Sequence, residues 1–164
     1  MKVYTSYYKS PIGSIEICAT DQGMITSVLF VESETRTTSG NAVTEDCKKQ
    51  FDEYFQGERK EFSLPYELLG TDFQKAIWGK LKSIEYGKTI SYSELAEKLK
   101  TPKGARAVGN TNGKNCLLLI LPCHRVVGQD GSLTGYAGGL WRKKWLLEHE
   151  RKVAGIDTQL GLGF

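Results

Sequence analysis

The periodicity of the chain changes once, and that change limits what it can fold into. Up to about residue 31 the apolar residues follow a two-residue alternation; from about residue 43 they follow a helical one. Roughly 2–8 alternates through Val3 and Tyr7, Pro11-Ile12-Gly13 makes a turn, and roughly 14–19 alternates through Ile15 and Ile17. Asp21-Gln22-Gly23 makes a second turn before a strand from Met24 to Val31. Turns this short join antiparallel strands. Residues 32–42 are polar and read as an exposed loop. Val43, Cys47, Phe51 and Tyr54/Phe55 predict a helix over about 43–56, stopped by Gly57. An irregular stretch to Gly70 then links two lobes.

The second lobe opens on helix signals. Thr71 and Gln74 form a capping-box pair, Phe73, Ile77, Leu81 and Ile84 make one apolar stripe, and Gly87 ends the helix. Ser91 and Glu94 form a second box, before a short helix with Leu95, Ala96 and Leu99 inward. Thr101-Pro102-Lys103-Gly104 reads as a turn, and a further helix follows over about 105–112, giving a helix-turn-helix pattern. The apolar run from Cys116 to Leu121 suits a buried strand and is far too short to span a bilayer. A last helix over about 140–150 carries Leu140, Trp141, Trp145 and Leu147, and the tail from Lys152 is expected to be loosely held. The fold class predicted is α+β. Residues 1–70 form a lobe with a three-stranded antiparallel sheet and a helix; residues 71–164 form a mostly helical lobe with the helix-turn-helix.

Charge is divided unevenly between these lobes. Residues 1–70 hold 7 Lys/Arg and 11 Asp/Glu, whereas residues 71–164 hold 15 Lys/Arg and 8 Asp/Glu. The basic half suits a polyanion such as nucleic acid, although solvated surface charge accounts for it equally well. With 40% hydrophobic and 25% charged residues, the composition is neither that of a disordered nor of a membrane protein. No apolar signal segment precedes the first strand, so a cytoplasmic location is expected, or a nuclear one in a eukaryote. The four cysteines should then stay reduced. No Cys-x-x-Cys or His-rich cluster offers a metal site, and no cofactor is expected.

Among the cysteines, Cys123 stands apart. Cys18 lies in a strand pattern, Cys47 on a helix face, and Cys116 opens the apolar run. At Leu121-Pro122-Cys123-His124-Arg125-Val126-Val127 an apolar strand runs into Pro122, which ends regular pairing and fixes the backbone before the thiol. A nucleophilic cysteine needs thiolate character, which cationic or hydrogen-bonding neighbours supply. Neighbouring side chains on a strand face opposite ways, so His124 would need a bridging water or a kink at Pro122 to reach the sulfur. A structural Cys-His pair is the competing reading.

Pro122-Cys123-His124-Arg125-Val126 resembles the active-site signature of the O6-alkylguanine-DNA alkyltransferases. Ile90-Ser91-Tyr92-Ser93-Glu94-Leu95-Ala96, Ala105-Arg106-Ala107-Val108-Gly109, Asn115, Gly135-Tyr136-Ala137-Gly138-Gly139 and Trp145-Leu146-Leu147-Glu148-His149-Glu150 resemble that family's blocks, in order and spacing. Ser10-Pro11-Ile12-Gly13 is a looser match in the first lobe. The resemblance implies a single, irreversible transfer of an alkyl group from O6 of guanine onto Cys123, and leaves activity on O4-alkylthymine open. His124 would take the thiol proton through a water, Glu150 would orient His124, Asn115 would be a hinge, and Tyr92 would donate to the departing base. Arg106 would fill the space of a flipped base, while Ala105, Ala107 and Gly109 allow close approach to the minor groove of double-stranded DNA. Tyr136, Ala137, Val126 and Gly138 would line the substrate pocket. The implied protein is a monomer acting on duplex DNA, with no membrane partner. A helix-turn-helix regulator or alkylation sensor, and a cysteine hydrolase, are the alternatives.

The chain departs from the resemblance after Asn115. Many relatives have an Asn-Pro-x-Pro pattern, and here the stretch is Asn115-Cys116-Leu117-Leu118. Cys116 is expected to be buried and unreactive. The missing prolines flank the implied pocket, so reaction with the free base O6-benzylguanine should be slower than in relatives carrying both. Side-by-side rate measurements check this, and equal or faster reaction refutes it.

Overall fold

The computed structural model describes residues 2–36, 39–101 and 104–156. Two compact units result: the chain up to Leu69 together with Cys116–Ile120, and Gly70–Asn115 together with the chain from Leu121.

In the first unit, β1 (Val3–Ser10), β2 (Gly13–Thr20) and β3 (Ile25–Val31) form an antiparallel sheet in the order β1-β2-β3. Cross-strand partners Ser6 and Ile17, and Tyr8 and Ile15, share one face. Helix α1 (Ala42–Phe55) covers that face: Ser6 Oγ donates to Glu45 and lies 2.9 Å from the Thr44 hydroxyl, and the Tyr8 ring meets Phe51 and Phe55. The other face buries polar groups, with Tyr7 donating to Glu16 at 2.9 Å and Thr5 beside the Cys18 sulfur at 3.6 Å. Val3, expected in the apolar alternation, is exposed; it is the first residue of β1 and lies on the face opposite α1.

The apolar run 116–121 does not form a regular strand. It makes one parallel bridge, in which Val28 N–H donates to Cys116 O and Leu118 N–H to Val28 O. A γ-turn around Leu119 (φ 71°), closed by Ile120 N–H to Leu118 O at 2.9 Å, then breaks the ladder. Cys116 is exposed, against expectation. It stands at the start of the run, and Leu117 to Leu121 after it are all buried.

In the second unit, α2 (Asp72–Leu81) and α3 (Tyr92–Lys98) begin at the expected capping boxes, Thr71 with Gln74 and Ser91 with Glu94. Helix α4 (Gly104–Asn112) packs on α3, as a helix-turn-helix requires; Pro102 and Lys103 of the expected turn lie outside the described residues. Trp78 Nε1 ties α2 to α4 by donating to Thr111 O at 2.9 Å. A two-residue parallel ladder joins β4 (Ile90–Ser91) to β5 (Val126–Val127). The last helix, α5 (Leu140–Val153), buries Lys143, Leu146, Leu147 and Glu150. That stripe has helical spacing, and Trp141 falls outside it; Leu140 is on its face but is the first residue of the helix, and both, expected among its apolar residues, are exposed. Of the expected loose tail, residues 157–164 lie outside the described residues. Among the described residues no helix is long and apolar enough to cross a membrane.

Ser91 caps α3 from the end of β4 and is itself buried. Ser91→Ala should therefore lower unfolding stability by about 1 kcal/mol, read from urea denaturation, while α2 and α5 keep their helicity.

Candidate active site

The chain is folded tightly around Cys123. Pro122 (φ −79°, ψ 63°) makes an inverse γ-turn closed by Cys123 N–H to Leu121 O at 2.7 Å. A one-turn 3-10 helix, Cys123–Arg125, comes next and leads into β5. Cys123 thus sits in a turn rather than at a strand end, and the opposite-face rule for strands does not govern His124. Two amides pin the turn: Asn115 Nδ2 donates to Leu121 O at 3.0 Å, and Asn112 Nδ2 to Cys123 O at 3.2 Å. The β4–β5 ladder places this turn in register with the strand that runs directly into Tyr92.

Behind the thiol lies a buried ionic cluster. His124 Nε2 meets Glu150 Oε2 at 2.7 Å. Arg125 donates to the same carboxylate twice, Nε to Oε1 at 2.8 Å and Nη2 to Oε2 at 3.0 Å. Its Nη1 donates to Ile84 O, and its guanidinium stands 5.5 Å from the Tyr86 ring centroid. Burial pushes the Glu150 pKa up, but the hydrogen bonds from His124 and Arg125 and the charge of the guanidinium outweigh it and hold the carboxyl well below its usual range. Burial also lowers the His124 pKa, so the imidazole is neutral. A carboxylate can only accept, which makes Nε2 the protonated nitrogen and leaves Nδ1 with its lone pair. Nδ1 is buried and has no hydrogen-bond partner among the described residues.

The thiol is 2% exposed, and burial raises its pKa to about 11. The Asn115 side chain and the Lys143 ammonium both work against that rise. Lys143 is completely buried; Nζ donates to Thr134 O at 2.7 Å and to Tyr92 Oη at 3.3 Å. Its own pKa is lowered by burial to about 8. Tyr92 Oη donates to Thr134 O at 3.0 Å.

Outside this cluster is an open cleft of about 370 Å³, lined by Tyr92, Ala105, Arg106, Gly109, Asn110, Thr134 and Gly135. Arg106 is exposed, and a side chain at Gly109 would touch the Tyr92 ring from 3.4 Å. Four expected DNA-binding residues therefore share the cleft, and Ala107 is not in its lining. Of the expected pocket residues, Tyr136 is buried with its ring centroid 6.5 Å from that of His124, Gly138 and Val126 are buried, and Ala137 is exposed. None of these four, nor Cys123, lines the cleft. Arg125, Lys143, Asn112, Asn110 and Thr134 were not foreseen. Lys143 had a legible signal: it stands seven residues before Glu150, two helical turns along the same face.

A thiol with a neutral imidazole beside it, an oriented carboxylate behind it and a helix-turn-helix in the same unit has the parts of a covalent group-transfer protein that works on DNA. Family models agree. Residues 72–152 match the DNA-binding domain of 6-O-methylguanine DNA methyltransferase, and residues 3–68 match its ribonuclease-like domain. The chain is 42% identical over 156 residues to the methylated-DNA–protein-cysteine methyltransferase of Mycobacterium tuberculosis, covering 92% of this chain and 94% of that one. It is 38% identical over 154 residues to that of Methanosarcina acetivorans, covering 90% and 98%. The crystal structure of the M. tuberculosis O6-methylguanine methyltransferase superposes with a TM-score of 0.84 at 39% identity, covering 97% of this chain and 99% of that one. A structure of the M. tuberculosis protein in complex with DNA gives 0.82 at 40% identity, covering 98% of each chain. The chain belongs to the methylated-DNA–protein-cysteine methyltransferase family.

Glu150→Gln removes the counter-charge of a buried guanidinium and should cost about 3–5 kcal/mol in urea denaturation at neutral pH. The native carboxyl titrates below its unfolded value, so its contribution is complete above about pH 4.3 and is lost as pH falls toward the native pKa. The gap between wild type and variant should therefore narrow below about pH 4.

Proposed function

We propose that this protein repairs double-stranded DNA by moving the alkyl group of O6-alkylguanine onto Cys123, once per molecule and irreversibly. The observation that carries this reading is the buried Cys123-His124-Glu150 series, with a lone pair at His124 Nδ1. The thiol proton passes to Nδ1 through a bridging water, and Glu150 stabilises the imidazolium that forms. The thiolate attacks the alkyl carbon in line. A sulfur–carbon bond forms as the carbon–O6 bond breaks, and its electron pair leaves on the guanine. Tyr92 Oη protonates the departing base and is resupplied by Lys143 Nζ, 3.3 Å away. The thioether product resists water, so the protein is consumed.

Because the target carbon lies inside a stacked duplex, the base must leave it to reach the thiol, at a cost of a few kcal/mol. Arg106, exposed on α4 at the cleft, fills the vacated stack from the minor groove, with Ala105 and Gly109 allowing close approach. Asn115 positions the turn, and the Ala137 amide contacts O6 beside Tyr136, Gly138 and Val126. No observation favours a regulator or sensor without repair activity.

Incubation with duplex DNA carrying O6-methylguanine should add the mass of one methyl group to the Cys123 peptide and none to Cys123→Ala; DNA binding without mass gain refutes the reading. Arg106→Ala should slow duplex repair much more than reaction with a free O6-alkylated base. Equal losses on both substrates argue against its part in base extrusion.

A further inference from the structure

We propose that Arg142, backed by Trp141, is a positioning residue that fixes the loop 134–139 and so sets how large an alkyl group Cys123 accepts. The proposal rests on Cys123 being the alkyl acceptor. Consecutive side chains of α5 hold the two ends of this loop: Lys143 Nζ donates to Thr134 O at 2.7 Å, and Arg142 Nη1 to Gly138 O at 3.0 Å. Gly135 (φ 46°) and Gly139 (φ 91°) stand just inside and just beyond those clamps. Left-handed φ is open to glycine at little cost, so the backbone can turn at both points if a clamp lets go.

Between the glycines lies Tyr136, which is buried beside His124 with an Oη that has no hydrogen-bond partner among the described residues. Its ring is held by the loop's backbone and by packing rather than by a hydrogen bond of its own. The loop's anchors therefore decide where this wall stands.

Arg142 is held in turn. Its guanidinium carbon lies 4.5 Å from the Trp141 ring centroid, and the indole runs past Gly139, where a Cβ would sit 3.6 Å from Cδ1. Trp141 is 59% exposed, an unusual position for an indole, and no core packing accounts for it. Stacking over a planar cation gives it a local task. A Tyr136 wall held close excludes bulky groups on O6; a wall able to recede admits them.

The test compares wild type with Arg142→Ala, Arg142→Lys and Trp141→Ala. Exchange of backbone amide hydrogens at 135–139 is read in the unreacted proteins. Reaction rates are read on one duplex carrying either O6-methylguanine or O6-benzylguanine. Losing one hydrogen bond should speed exchange in Arg142→Ala about fivefold, with α3 and α4 unchanged. The benzyl-to-methyl rate ratio should rise by about the same factor. Arg142→Lys, which keeps a donor, should stay near wild type. Trp141→Ala, altering an exposed side chain, should shift both readouts in the same direction by less. Unchanged exchange overturns the clamp. Faster exchange with an unchanged or lower ratio overturns its control of size. A wild-type protein that takes no methyl on Cys123 instead overturns the repair reading and with it the size role, while the exchange data still judge the clamp.

Discussion

The bidentate contact between Arg125 and Glu150 is the interaction on which the rest of the site depends. A buried carboxylate beside a single imidazole would draw a proton onto that imidazole, and an imidazolium cannot accept a proton from a thiol. Here burial is the main cause that keeps His124 uncharged, and Arg125, bonded to both oxygens, adds to it while helping to hold Glu150 ionised. In the proposed reaction the carboxylate orients the base and fixes its tautomer, and its full charge becomes useful only when the thiol proton arrives. Arg125 is itself seated by Ile84 O and by the Tyr86 ring. The end of the α2 segment thereby supports the chemistry at Cys123.

The sulfur is placed with equal economy of parts. Two tight turns, around Leu119 and Pro122, shorten the chain on either side of Leu121, and two asparagine amides pin the carbonyls of Leu121 and Cys123. Burial raises the thiol pKa, and only Asn115 and Lys143 oppose it among the side chains nearby. Such a sulfur is quiet in the absence of substrate, which suits a protein that reacts once. Lys143 joins the two ends of the proposed reaction: it lowers the cost of the thiolate and feeds Tyr92.

Much of this was legible in the sequence, for reasons that differ by element. The strands and α1 could be read from periodicity, since a covered face needs apolar residues at the period of its backbone. The starts of α2 and α3 could be read from capping pairs three residues apart, a local rule that tertiary structure did not disturb. Cys123, His124 and Glu150 came from a motif and a family resemblance, and the structure brings His124 and Glu150 into contact 26 residues apart. The expectations that failed depended on a fine balance. The run 116–121 is apolar enough for a strand, yet a left-handed Leu119 interrupts it just after its bridge to Val28. Leu140 and Trp141 are apolar, yet the buried stripe of α5 begins at Lys143. Arg125 gave no local signal, because burial of its charge depends on a partner 25 residues away, whereas the spacing of Lys143 to Glu150 along α5 was legible.

The central claim is that His124 is neutral, protonated at Nε2, with its Nδ1 lone pair available while Glu150 is ionised. Nitrogen-15 NMR of the imidazole at neutral pH tests it most directly. The account predicts one protonated nitrogen, Nε2, whose signal moves in Arg125→Met as His124 takes up charge from a carboxylate no longer shared. An imidazolium with both nitrogens protonated in the wild-type protein, or a proton resident on Nδ1, would contradict it.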